Sequence, residues 1–98
     1  MDSIFLDKGV KYDSEKPDWS LVELDKLEGF VKVLTFGAKK YKRDNWKKVE
    51  HGKERYFAAL MRHLSAWQKG EDKDPESGES HLHHAMCNLY FLIDFDKK

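Results

Sequence analysis

The chain has 98 residues, 37% of them charged and 40% hydrophobic, and its 18 basic side chains balance 18 acidic ones. That length fits a single domain, residues 1–98, with a thin core. A net charge of zero excludes capture of a nucleic-acid polymer or a membrane surface by global charge. One cysteine, Cys87, leaves no internal disulfide to form. The N-terminus has no basic flank or apolar run, and no stretch approaches membrane-spanning length, so the expected compartment is the cytoplasm. Three Trp, four Tyr and six Phe are more aromatics than a minimal core needs, which points some of them at a ligand or a second subunit.

Residues 1–19 carry Gly9, Pro17 and scattered charges without periodicity and read as an extended arm. Ser20-Leu21-Val22-Glu23 has the capping-box pattern, and Leu24, Leu27, Val31 and Leu34 follow at helical spacing. With Gly37 as the stop, the first helix is predicted over about residues 21–36. Residues 38–52 form a basic, aromatic loop that is long for so small a domain and therefore reads as functional. A second helix is predicted over about residues 53–69, with Tyr56, Leu60, His63, Leu64 and Trp67 on one stripe and Gly70 as the stop. After the acidic segment 71–79, a third helix runs from about residue 80 to 95. Its apolar stripe is Leu82, Ala85, Met86, Leu89, Leu92 and Ile93, and a second face carries His81, His84, Asn88, Phe91 and Phe95. A helix with two such faces is covered on both. The predicted architecture is therefore all-α: a small bundle of three main helices plus an N-terminal arm, completed by homo-oligomerisation.

Four groups of residues carry chemistry. His81, His84 and Asn88 lie side by side on one helical face, which suits a metal, a phosphate or the edge of a base, or else a buried polar network. His63 sits on an apolar stripe beside Arg62, either as a core histidine or as a ligand. The acidic segment fails the EF-hand pattern, but Glu71 and Asp74 are spaced to share a magnesium ion with ligand phosphates. In the basic loop, Lys40 and Arg43 suit phosphate, Tyr41 and Trp46 suit stacking on a base, and Asn45 suits an adenine edge. Asp44, Glu50 and Glu54 interrupt the positive run, so a small nucleotide fits better than a polymer. No Walker loop, paired-cysteine zinc spacing or serine nucleophile motif is present.

In order along the chain stand Lys11-Tyr12-Asp13, Lys16-Pro17, Phe36-Gly37-Ala38-Lys39-Lys40-Tyr41 and Asn45-Trp46. Arg55-Tyr56, Arg62-His63-Leu64, Trp67, Gly70-Glu71, Asp74, Glu76-Ser77-Gly78, His81-Leu82, His84-Ala85 and Asn88 continue the series. This series resembles the phage-associated domain family named for the N-terminal part of dATP/dGTP diphosphohydrolase, over nearly the whole chain. The resemblance implies kinship with MazG-like nucleoside triphosphate pyrophosphohydrolases, which bind purine nucleotides in oligomeric helical bundles. The chain is also similar to small phage proteins that soak up cyclic nucleotide alarm signals. It departs from the MazG-like pattern where those enzymes carry Glu-x-x-Glu and Glu-x-x-Asp helices for magnesium: here stand Arg62, His63 and Trp67, then His81, His84 and Asn88.

The resemblance, taken with this thin carboxylate set, implies a non-catalytic phage protein, in the host cytoplasm, that sequesters a purine nucleotide or cyclic dinucleotide to evade bacterial immunity. In that reading Lys11, Tyr12, Lys40, Tyr41, Arg43, Asn45, Trp46, Arg55, Arg62, His63, Trp67, His81, His84 and Asn88 form the ligand site, and binding needs no cofactor. The alternative is a metal-dependent dATP/dGTP pyrophosphohydrolase, with Glu71 and Asp74 on magnesium and His63 or His84 positioning water.

Overall fold

The computed structural model describes residues 9–97, so the first eight residues of the expected arm lie outside the described residues. Helix α1 spans Glu28–Lys40, α2 Gly52–Gln68 and α3 His81–Asp96. Short 3-10 turns occupy Trp19–Leu21, Leu24–Leu27 and Asn45–Lys48. The described residues contain no strand, only a single bridge between Lys73 and Ser80. The expected three-helix, all-α architecture with an N-terminal arm is what the chain adopts. No helix among the described residues is long and apolar enough to cross a membrane.

The first helix starts later than its periodicity predicts, and the reason is local. Asp18, not Ser20, acts as the cap: its carboxylate accepts from the Ser20 amide and hydroxyl. The backbone is then extended at Val22 and Glu23, which breaks the helix before it can propagate. Leu24–Leu27 forms only a 3-10 turn that feeds α1. At the other end Gly37 does not stop the helix. Ala38, Lys39 and Lys40 are strong helix formers, and the two lysines complement the negative end of the helix dipole.

The two later helices end as their sequence suggests. Gly70 has φ +102°, and the Glu71 and Gly70 amides donate to the carbonyls of Ala66 and Trp67, closing a Schellman motif after α2. The Ser80 side chain accepts from the Leu82 amide and caps α3. Helices α2 and α3 form a hairpin, with Gly52 at the start of α2 against Phe95 near the end of α3. A Cβ on Gly52 would collide with the Phe95 ring, so only glycine permits that approach. Helix α1 crosses α3 by the same device, Gly29 meeting the His83 ring. There the Cys87 thiol donates to the Phe30 carbonyl, and burial pushes the thiol pKa up to about 12.

The core is small: among the described residues, Val33, Leu60, Ala85 and Cys87 are the buried apolar ones. The polar-aromatic face of α3, rather than its aliphatic stripe, packs on α2. Phe91 and Phe95 lie against Tyr56, and His81 and His84 against His63. Leu82, Leu89 and Ile93 on the aliphatic stripe remain exposed.

Candidate functional site

The closed end of the hairpin, where the turn joins α2 to α3, gathers three histidines and two carboxylates. His63 comes from the penultimate turn of α2 and His81 and His84 from the first turn of α3. Between them the acidic segment folds into a tight turn. The Asp74 amide donates to the Glu79 carbonyl, the Gly78 amide to the Asp74 carbonyl, and the His81 amide to the Asp72 carbonyl. Gly78, at φ +75°, permits the reversal. The Asp74 carboxylate accepts from the Glu76 and Ser77 amides at 3.1 and 3.0 Å, which ties its side chain to the turn.

His81 is 4% exposed and sits at the centre of the cluster. Its Nε2 lies 2.7 Å from Glu71 Oε1 and its Nδ1 2.8 Å from His63 Nδ1. An ionised carboxylate only accepts, so Nε2–H of His81 donates to Glu71, and in the neutral ring its Nδ1 is the acceptor. His63 then donates from Nδ1 to His81. Burial, followed by the neighbouring His84 and His81, lowers the His63 pKa from 6.5 to about 4, so this ring is neutral at pH 7. The His84 ring stacks on His63 with centroids 4.5 Å apart and planes within 8°. His84 Nε2 is 2.6 Å from the Ser77 hydroxyl and 3.9 Å from Asp74 Oδ2. Burial lowers the His84 pKa too, against the opposing pull of Asp74. Burial works against the Asp74 carboxylate, yet the Ser77 amide and the facing His84 hold it below its usual range. His63, Asp74 and His81 offer ligand atoms that all lie within 4.8 Å of one another.

A groove of about 990 Å³ opens between the end of α1, residues 41–49 and the α2–α3 hairpin. Lys42, Arg43, Arg55 and Arg62 line it, together with Tyr41 and Asn45. Arg55 reaches the Glu50 carbonyl at 3.4 Å. Tyr41 is 61% exposed, with the Lys40 ammonium 5.3 Å from its ring centroid. Trp46 also lines the groove but is engaged within the protein, its ring stacked on Phe91 at 4.5 Å and angled against Tyr90 and Phe95. Arg62 faces the groove, directly precedes His63 and, with Glu71, borders a second, smaller depression.

The structure therefore divides the ligand residues expected from sequence into separate places. Tyr41, Arg43, Asn45, Trp46, Arg55 and Arg62 share the groove. His63, His81 and His84 form the cluster. Asn88 is buried, and its amide donates to the His84 carbonyl on its own helix. Lys40 lies outside the groove, ion-paired with Glu76 at 2.8 Å. Lys11 and Tyr12 are exposed on the arm, and Trp67 is exposed on α2, none of them lining the groove. Of the two carboxylates expected on magnesium, Asp74 faces the histidines, while Glu71 binds the outer nitrogen of His81. Ser77 was not singled out from sequence; its place in the Glu76-Ser77-Gly78 turn, seven residues before His84, is the signal that marks it.

Comparison with known proteins gives a consistent answer. The family described as dATP/dGTP diphosphohydrolase, N-terminal, matches residues 7–98. The dATP/dGTP diphosphohydrolase of Salmonella phage PMBT28 is 36% identical over 85 residues, covering 87% of this chain and 29% of the relative. The chain thus spans under a third of the length of that relative. No solved structure matches. Both names are those of a hydrolase, and they overturn the expectation of a non-catalytic sequestering protein; neither supports capture of cyclic dinucleotides or a role against host immunity. Thin carboxylates had suggested a binder, but absence of one metal pattern does not exclude hydrolysis supported by other side chains. The chain belongs to the dATP/dGTP diphosphohydrolase N-terminal domain family.

Proposed function

We propose that this chain holds a purine deoxynucleoside triphosphate for hydrolysis to the monophosphate and diphosphate, with dATP and dGTP as the substrates. The observation that carries the reading is the convergence of Arg43, Arg55 and Arg62 on one groove beside the exposed Tyr41 ring. A triphosphate carries three to four negative charges, and arginine, always protonated and able to bind two oxygens at once, is suited to hold it. Tyr41 gives the base a face to stack on, and Asn45 offers an amide to its edge. Trp46 supports this surface from beneath by fixing residues 45–48 to α3. Magnesium, which takes oxygen ligands, does not fit the histidine cluster, because Glu71 is occupied by His81 and two of the three converging atoms are nitrogens.

The purified chain should bind dATP and dGTP in calorimetry, and Arg55→Gln with Arg62→Gln should weaken binding at least tenfold without lowering the melting temperature. Equal affinity in the double variant, or no binding of either nucleotide by the native chain, would refute the groove. Diphosphate release is measured separately. We also infer self-association through the exposed Leu82, Leu89 and Ile93 stripe, because three short helices leave it uncovered.

A further inference from the structure

We propose that His63, Asp74 and His81 form a binding site for a divalent transition-metal ion of the class that prefers imidazole, with zinc as its representative. Two imidazole nitrogens and a carboxylate converge within 4.8 Å. That donor set suits zinc, cobalt, manganese or iron and leaves positions open for water or a phosphate oxygen.

Three features set the site apart from a chance meeting of polar groups. First, the His63 and His81 Nδ1 atoms face each other at 2.8 Å inside a part-buried contact. With metal–nitrogen bonds of about 2.0–2.1 Å, adjacent ligands of a six-coordinate ion stand roughly 2.9 Å apart and those of a tetrahedral ion roughly 3.4 Å. The present spacing matches a six-coordinate ion and would open by roughly 0.6 Å for a tetrahedral one, while the Asp74 oxygen, within 4.8 Å, would close in. With both rings neutral, the ion would displace the proton between the two Nδ1 atoms, which His63 can carry on Nε2 instead. Second, each ligand is held by a separate partner. Glu71 binds the far nitrogen of His81, the arrangement that orients metal-bound histidines and raises their basicity. His84 stacks flat on His63. Two turn amides hold the Asp74 carboxylate. Third, the ligands come from α2, the intervening turn and α3, so one ion would staple three segments of a chain whose apolar core is small.

This assignment does not depend on the nucleotide reading, because the groove arginines supply none of the ligands. The test uses the chelator-treated chain, titrated with Zn²⁺, Co²⁺ and Mg²⁺ in calorimetry. One Zn²⁺ per chain is expected, with affinity at least a hundredfold above that for Mg²⁺, a rise in melting temperature, and a Co²⁺ absorption spectrum showing nitrogen ligation. His63→Gln and Asp74→Asn should each lower Zn²⁺ affinity at least tenfold, and Glu71→Gln about tenfold. His51→Gln, an exposed histidine remote from the cluster in sequence, should leave it unchanged. Histidine ring resonances of the native chain should shift at His63 and His81 on Zn²⁺ addition, a readout that requires no variant to fold. Absence of stoichiometric Zn²⁺ binding, or binding lost in His51→Gln but kept in His63→Gln, would overturn the proposal.

Discussion

Replacing Trp46 by alanine should destabilise the protein substantially, because its ring joins the basic segment to α3. Trp46 is half-buried, stacked on Phe91 at 4.5 Å and angled against Tyr90 at 6.0 Å and Phe95 at 6.4 Å. Truncating a fully buried Trp or Phe costs about 3–5 kcal/mol, and a half-buried ring about half of that. The lost stack on Phe91 adds about 0.5–1.5 kcal/mol. A total of about 2–4 kcal/mol corresponds, at roughly 4–8 °C per kcal/mol for a chain of this size, to a fall of about 8–32 °C in Tm. Thermal unfolding followed by circular dichroism measures it, with Trp67→Ala as the comparison because that ring is 47% exposed on α2. Nucleotide affinity should follow Tyr41→Ala more than Trp46→Ala once both variants are compared below their melting temperatures. A Trp46→Ala shift of under about 4 °C, the equivalent of less than about 1 kcal/mol, would show that the aromatic cluster does not anchor the segment.

Stability should fall as the pH is lowered from about 6.5 towards 4. In that window the unfolded chain protonates at His63 while the folded one, with its pKa lowered to about 4 by burial and then by His84 and His81, does not. His84, shifted in the same direction, adds to the slope; the histidine contribution ends below the folded-state values, where protonation of Asp74 takes over. Urea unfolding in chelator at stepped pH measures this, and His63→Gln should flatten the curve; stability independent of pH between 7 and 5 would contradict it. For self-association, light scattering at micromolar concentration should report a dimer or larger, and Leu89→Glu with Ile93→Glu should shift it towards monomer. A native chain that remains monomeric under those conditions would refute the exposed stripe as an interface.

Much of this protein follows from its amino-acid order. Helices α2 and α3 were legible because their ends carry chemical signals that act over a few residues: Gly70 accepts the left-handed turn of a Schellman motif, and Ser80 caps α3. The shared face of His81, His84 and Asn88 was legible too, since helical geometry alone places residues three and four apart together. The start of α1 was not, because Ser20-to-Glu23 and Asp18-to-Ser20 are competing caps of similar strength, and local spacing does not decide between them. What only the tertiary structure decided depends on contacts across the hairpin. The register of α2 against α3, held by the approach of Phe95 to Gly52, brings the His63 and His81 Nδ1 atoms together. The turn between the helices sends Asp74 to that pair and Glu71 to the outer nitrogen, although both carboxylates look alike in the sequence. Trp46 likewise carries the same side chain whether it stacks on a base or on Phe91. Only packing between residues 45 positions apart assigns it to the protein's own aromatic cluster.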